Sequence, residues 1–543
     1  MAVPPFATLH RELFSLIASH LPLRSAPPTL LALALTNHAY YNVAHPLLFS
    51  RVILRNEKDA MSFTDILRTD PSLGNSVQEL YVKSQLLVST RDSDGPVDAV
   101  TNLIKAIQAN SLPNVRTLGL YLHNLPWWKV EEPDSAVRSC QLPDDFWKTL
   151  HSKCTRLKNV VLSGIGDNDE GRVGIYDLDG VQDFTSFGLI FQRWSYATRD
   201  CPKNFFESLH LLASTLHSLV LGLPYIDPDS QSVMALRFPQ LRSLTLENFE
   251  NGTEEASLSQ SMDFWRAHPL LEYLKLPYPP LCSQWFEKSE VDLEILPNLK
   301  HLQAPFSDVY ALAPILHRLS SLTIDGSINA QVPYLLRSVI PMGLPNLKSL
   351  DIRQQPDADP DWISEPDGNE GALWYETEDG TIHEPDKAKL ANPRKIKSEV
   401  RRFFLPLDSE HYMHSIVKGA PNLEEISLHT LVGMNPSLFL DTMGHQLAKF
   451  EKLERLYYPA LRQNDTSDEK TWTLFQKVAR DFAKDCKRLT LVTDVLVPQM
   501  PYMAAKIRRG AGGEVEEVVA VEGYGMLIGN EGNPFPTYYA PKI

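Results

Sequence analysis

The sequence predicts an α/β chain: a short helical module at the N-terminus, then a long array of strand-plus-helix units whose strands form one parallel sheet. Three observations lead there. Residues 9–49 carry apolar spacings of helical period, with a proline or polar break between segments. From about residue 77 a six-residue phrase recurs, aliphatic-x-x-aliphatic-x-aliphatic. Stretches suited to helices, such as "SMDFWRAHPLL" and "VYALAPILHRL", separate its copies.

The opening segment reads "LHRELFSLIASHLPLRSAPPTLLALALTNHAYYNVAHPLLF". Leu9, Leu13, Leu16, Ile17 and Leu21 fall on one face of a helix. Thr8 is the expected N-cap, Glu12 favours the positive helix end, and Pro22 follows the last apolar position. "LRSAPPT" is expected to be a loop. A second helix follows with Leu30, Leu31, Leu33 and Leu35, then a polar break at Thr36, Asn37 and His38. A third carries Tyr40, Tyr41, Val43, Ala44, Leu47 and Leu48. Three helices in roughly 45 residues lie near the limit for burying their own apolar surface. The surplus either caps the first repeat or is left for a partner, and both can hold.

The phrase appears as "VQELYV", "VRTLGL", "LKNVVL", "LHSLVL", "LRSLTL", "LEYLKL", "LKHLQA", "LSSLTI", "LKSLDI", "LEEISL" and "LERLYY". Six copies extend backward to a proline: "PNVRTL", "PQLRSL", "PLLEYL", "PNLKHL", "PNLKSL" and "PNLEEI". Fewer than about one such match is expected by chance. Proline closes the preceding loop, because it lacks an N–H and disfavours helix before it. The final aliphatic pair points to one side of a short strand, into the core. Anchors at Leu216, Leu241, Leu271, Leu299, Leu319 and Leu347 lie 20 to 30 residues apart, close to the leucine-rich-repeat range. Wider earlier gaps, the largest 59 residues from Leu157 to Leu216, imply loop insertions. Such units bury one face against their neighbours and stack into a solenoid. The residues between and just after the aliphatics then face outward: Thr245, Glu247, Lys275, Gln303, Thr323, Asp325, Asp351 and Arg353. They are mostly polar and nominate a wet, target-binding strand face.

Two segments stand outside the repeat. Residues 356–387 hold eleven carboxylates against Lys387, and residues 388–402 reverse sign. An acidic-then-basic insertion at about 354–402 is expected to be a mobile excursion, with Trp362, Trp374 and Tyr375 favouring some ordering. Near the C-terminus, "WTLFQKVARDFAKDC" reads as a helix, "RRGAGGE" as a turn and "GEVEEVVAVEGYGMLIG" as a last strand.

The formal charge of −15 argues against a generic phosphate-binding surface, so no nucleic-acid partner is expected. No stretch approaches the ~20 apolar residues that cross a bilayer, and the first residues lack a positive segment leading into an apolar core. Cys140, Cys154, Cys201, Cys282 and Cys486 are scattered and form no CxxC pair, favouring reduced thiols of the cytoplasm or nucleus. There is no GxSxG elbow and no glycine loop ending in lysine and Ser/Thr. His411 and His414 would share a helix face, but no third ligand accompanies them. No catalytic residue, cofactor or metal site is expected.

The N-terminal segment resembles the F-box, the helical module with which ubiquitin-ligase substrate receptors dock onto a Skp-type adaptor. "LHRE" at Leu9 to Glu12 matches the family's leucine-proline-x-glutamate start, with His10 in the proline's place. "LFSLIASHLP", "LLALALTNHAYY" and "AHPLLFSRVIL" follow in family order. The remainder is similar in architecture to F-box proteins of fungal type with loosely spaced leucine-rich repeats. The resemblance implies an F-box-like module over 1–55 and an irregular leucine-rich-repeat solenoid over 56–543. It also implies adaptor contacts by Leu9, Glu12, Leu13, Ile17, Leu21, Leu30 and Leu33, a cullin reached through the adaptor, and a target protein on the repeats. Ubiquitin transfer would be performed by other subunits. The other reading of the same residues is a leucine-rich-repeat scaffold that binds a protein without any ligase role.

Overall fold

The computed structural model describes residues 11–21, 26–54, 57–86, 99–124, 142, 145–165, 178, 181, 183–191, 203–223, 230–247, 255–277, 284–326, 331–353, 374–377, 382–383, 400–404, 409–429, 443–458, 468–494 and 504–520. It is an α/β chain whose sheet is open and mostly parallel. Two compact units form it, Met1–Gly252 together with Leu527–Ile543, and Thr253–Met526.

The first unit opens with helices α1 (Arg11–His20), α2 (Ala26–Ala34) and α3 (His38–Leu48). Helix α2 begins inside the expected loop, taking Pro27 and Pro28 into its first turn, where the missing N–H groups would have no helical partner anyway. Asn37 caps α3, its Oδ1 accepting from Tyr40 N at 2.9 Å. Strands follow: β1 (Arg51–Leu54), β2 (Glu79–Leu86), β3 (Thr117–Asn124), β4 (Asn159–Ile165), β5 (Ser186–Phe191), β6 (Ser218–Gly222) and β7 (Ser243–Glu247). Each pairs in parallel with the next. Strand β1 lies within the stretch read as the helical module, so the sheet starts there. Strand β5 fills the gap between Leu157 and Leu216 and was not expected, because Phe187 stands where the phrase has an aliphatic. Trp147, on the helix Phe146–Lys153, meets Phe187 at 5.8 Å, which fixes the helix side of the sheet.

The second unit carries β8 (Tyr273–Lys275), β9 (His301–Pro305), β10 (Ser321–Asp325), β11 (Ser349–Arg353), β12 (Trp374–Thr377), β13 (Ile382–His383), β14 (Val400–Phe404), β15 (Glu425–His429), β16 (Arg455–Tyr458), β17 (Leu491–Asp494), β18 (Ala504–Arg509) and β19 (Val515–Ala520). The order β8-β9-β10-β11-β15-β16-β17 is parallel throughout. Strands β17, β18 and β19 close it antiparallel, so the expected last strand is one arm of a hairpin. "RRGAGGE" is its turn, with Gly513 at φ 84. Within the acidic-then-basic insertion, β13-β12-β14 form a separate antiparallel sheet that sets Glu376 opposite Arg402. The insertion is therefore not wholly an excursion; Trp362 and the rest of it lie outside the described residues.

All eleven phrases land on strands, and the reason recurs from one to the next. Among the described residues, one carbonyl at most parallel strand entries accepts two successive N–H groups of the following strand. Glu272 O takes Lys300 N at 2.9 Å and His301 N at 3.0 Å, and Lys348 O takes Glu424 N at 2.8 Å and Glu425 N at 2.9 Å. Ser50, Gln78, Arg116, Lys158, Thr185 and His217 do the same in the first unit. Side chains reinforce the step. Asn298 Nδ2 donates to Pro269 O, Asn346 to His317 O and Asn422 to Pro345 O, each at 2.9 Å, and Asn114 donates to Asn75 O at 2.8 Å. The asparagine of "PNL" thus clasps the turn of the preceding repeat. Lys300 pairs with Glu272 at 2.8 Å and Lys348 with Glu424 at 3.1 Å, which explains the charged residue in the phrase.

The core is the apolar row under the sheet: Leu80, Leu118, Val160, Phe187, Leu219 and Leu244 in one unit, and Leu302, Leu322, Leu350, Ile426, Leu456 and Val492 in the other, all buried. In the second unit Asp308 is fully buried beside Trp285 and Phe286. Its Oδ1 accepts from Trp285 N at 2.7 Å and Phe286 N at 3.2 Å, while Oδ2 has no protein partner. Burial pushes this carboxyl up to about 7, against the pull of the two N–H groups.

Replacing Asn298, Asn346 and Asn422 together by alanine should lower unfolding stability by about 2–4 kcal/mol, at about 1 kcal/mol per net hydrogen bond, measured by urea titration. Asp308 has its own signature. Its folded pKa lies above its unfolded one, so its contribution to stability is complete below the ordinary carboxyl range and is lost as pH rises to about 7. Asp308→Asn, which keeps the acceptor and cannot ionise, should gain stability relative to wild type between pH 5 and pH 8 in paired titrations. Asp308→Ala, which strands both N–H groups, should cost about 2–4 kcal/mol at pH 5.

Candidate functional site

The helical trio has a core of its own. Leu30, Ala34 and Ala44 are buried together, with Ala18, Leu21, Leu33, Leu47 and Leu48 packed on them. Phe14 is buried too and meets Tyr40 of α3 at 6.2 Å. Helix α1 therefore turns Phe14, Ala18 and Leu21 inward, an i, i+4, i+7 row. Its other apolar row, Leu13, Leu16 and Ile17, faces outward and is about half exposed. Leu31 of α2, Leu35 in the turn after it and Tyr41 of α3 are exposed as well, Leu35 at 77%.

This sorts the residues expected to meet an adaptor. Leu13 and Ile17 are outward. Leu21 and Leu33 are half-buried against the trio's core, and Leu30, at 7% exposure, belongs inside it, which corrects its placement on the docking face. Leu9 and the Glu12 side chain lie outside the described residues. Leu16, Leu31 and Leu35 are surface residues that the expected set left out. The exposed row could be seen in the sequence as a stripe, but Phe14 fixes which stripe turns inward.

The strand face was expected to be wet. In the first unit Thr245 is buried and Glu247 half-buried. In the second, register sets Lys275, Gln303, Thr323 and Asp351 side by side on four successive strands, with Asp325 beside Arg353 one pleat further. Gln303 Nε2 donates to Asp325 Oδ2 at 2.9 Å. Arg353 Nη2 holds Asp351 Oδ2 at 2.8 Å, and its Nη1 reaches Asp325 Oδ1 at 3.8 Å. Burial raises the Asp325 carboxyl, while the Arg353 charge and the Gln303 bond pull it back. Lys275 and Asp325 are buried, whereas Gln303, Thr323, Asp351 and Arg353 are half-buried. The expected wet face is instead a packed polar network, because neighbours 4.7–4.9 Å apart across strands shield one another. Ser427, the next position in register, extends the row and was not expected.

Other candidates resolve plainly. The segment holding His411 and His414 is helical, and His414 is exposed. Among the described residues no group of three or more His, Cys, Asp or Glu could hold a metal ion, and no helix is long and apolar enough to cross a membrane. Cys154 and Cys486 are buried free thiols, pushed up by burial to about 11 and about 12. Cys140, Cys201 and Cys282 lie outside the described residues. Fold and surfaces define a chain of parallel α/β repeats fronted by a small helical trio. No protein-family model and no curated protein matches the chain.

Leu30→Ala should destabilise the trio by about 2–4 kcal/mol through lost burial and a residual cavity. Leu35→Ser should stay within about 0.5 kcal/mol, as exposed substitutions do. Thermal unfolding followed by limited proteolysis at the N-terminus separates the two.

Proposed function

We propose that the chain is the substrate-recognition subunit of a Skp–cullin–F-box type ubiquitin ligase. The observation that carries this reading is a helix trio with a filled core that still presents Leu13, Leu16 and Ile17 in one outward row, with exposed Leu31 on the next helix and Leu35 just after it. Isolated exposed apolar residues need no explanation, but such residues gathered on two consecutive helices suit a protein partner. The adaptor docks there and links the chain to a cullin. The repeats hold the target on their strand face, where Gln303, Asp325, Asp351 and Arg353 supply fixed charges and hydrogen bonds. The contribution to ubiquitin transfer is proximity: tethering raises the local concentration of target lysines near the charged carrier. The chain itself acts as a receptor and not as the catalyst, working in the cytoplasm or nucleus.

The test is affinity capture of the full chain from cells, with a Leu13→Asp, Ile17→Asp double variant alongside. Wild type should recover a Skp-type adaptor and a cullin, and the variant should lose both by at least about tenfold, as truncated hot spots do. Circular dichroism and the unfolding midpoint should be unchanged, since both side chains face outward. Recovery of neither partner by wild type would leave the repeats as a protein-binding scaffold and remove the ligase role.

A further inference from the structure

Residues 284–290, between β8 and β9, belong to no strand and hold one short turn, Lys288–Glu290. Trp285 and Phe286 are nonetheless wholly buried. Side chains hold the main chain there. Asp308, on the short helix Phe306–Ala311, accepts from Trp285 N at 2.7 Å and from Phe286 N at 3.2 Å through the same Oδ1. Trp265, on the helix Glu255–Ala267, donates its Nε1 to Trp285 O at 3.1 Å, and its ring stacks on Phe286 at 5.0 Å. Two successive N–H groups of the segment thus depend on one carboxyl oxygen.

That carboxyl is fully buried, its Oδ2 has no protein partner, and among the described residues no cation pairs with it. The charged and titratable groups on the elements around it are engaged elsewhere. On the segment itself, Lys288 lies 3.8 Å over the Tyr310 ring, Glu287 accepts from Ser289 Oγ at 3.1 Å, and Glu290 pairs with Arg266 at 3.3 Å. On the turn Ala313–Arg318, His317 Nδ1 is 3.0 Å from Pro314 O, and Arg318 donates to Leu293 O. On β9 the His301 ring lies beside Tyr273 at 6.4 Å, and on β10 Asp325 is held by Gln303 and Arg353. On the helix Glu255–Ala267, Asp263 faces Arg266 at 3.8 Å. A charged oxygen would strengthen both N–H bonds, but the cost of burial outweighs that gain and keeps the proton on up to about 7. Once the proton leaves for solvent, only water can relieve the buried charge. The structure that yields most readily to water is the segment with no ladder of its own. We propose that residues 284–290 are a pH-operated latch: neutral Asp308 holds it shut, and ionised Asp308 releases it and bares Trp285 and Phe286. The opening is local, because the strands on either side keep their own main-chain bonds. The inference does not rest on adaptor docking or on target binding.

The experiment is hydrogen exchange of the full chain at intervals from pH 5 to pH 8, read by mass spectrometry and corrected for the pH dependence of chemical exchange. In the open state the hydrated carboxyl returns to its ordinary range, so opening gains about tenfold per pH unit until the closed form itself ionises. Protection of the segment 284–290 should therefore fall about a hundredfold from pH 5 to pH 8, with most of the change below pH 7. Protection of β10 should stay constant over the same range. In Asp308→Asn, which keeps the acceptor and has no proton to lose, the segment should show no such fall. Constant protection of 284–290 in wild type would overturn the latch. So would an equal fall in β10, which would make the opening global, or an undiminished fall in the variant. Should Asp308→Asn fail to fold by circular dichroism, the comparison of 284–290 with β10 in wild type decides alone.

Discussion

The parallel sheet depends on a main-chain carbonyl at the strand entry that accepts two successive N–H groups from the next strand. A carbonyl oxygen has two lone pairs, and at these strand entries both are used. The bond pair fixes the stagger between neighbours before any side chain is considered. A slip of one residue would turn each strand's aliphatic row to the opposite face and expose it. The lock therefore aligns Leu302, Leu322, Leu350, Ile426 and Leu456 into one buried row. The "PNL" asparagines add a side-chain clasp at the same edge, reaching back to the preceding turn.

This lock explains which parts of the fold were legible in sequence. The phrase records the aliphatic row and the proline turn, so strands that use leucine there were all visible. Strand β5 was not, because Phe187 fills the aliphatic position and is held by Trp147 and by Phe184, whose ring stacks on it at 6.4 Å. Aromatic packing replaced the letters but not the geometry. The first strand was hidden for another reason: "RVIL" follows a helix directly and reads as its continuation. Strand β12 was hidden by its surroundings, since "WYET" sits inside an acidic stretch and pairs only with distant β14 and nearby β13.

The surfaces were legible only in part, for a physical reason. Helix α1 has apolar residues on two faces, and a periodicity sees both without ranking them. Phe14 ranks them, because a large ring gains most from burial and finds Tyr40 to pack on. With Phe14, Ala18 and Leu21 inward, the outward row of Leu13, Leu16 and Ile17 is the surplus that the trio's small core cannot absorb. Leu30 was misplaced for the same reason, since a run of leucines on a short helix does not say which one points in.

On the strand face the alternation was right and the burial was not. A pleated strand does send every second residue away from the helices, and Gln303, Asp325, Asp351 and Arg353 all lie there. Sequence gives direction, but exposure depends on what stands on the adjacent strands. The carbonyl lock and the aliphatic row set the register without involving the outward positions. They are free to differ between units without disturbing the register. The first unit uses that freedom for glycines and rings, and the second for two carboxylates bridged by one arginine. A change in the chemistry of this face thus requires altering only the outward residues. The same substitution made one position along the strand would break the core row instead.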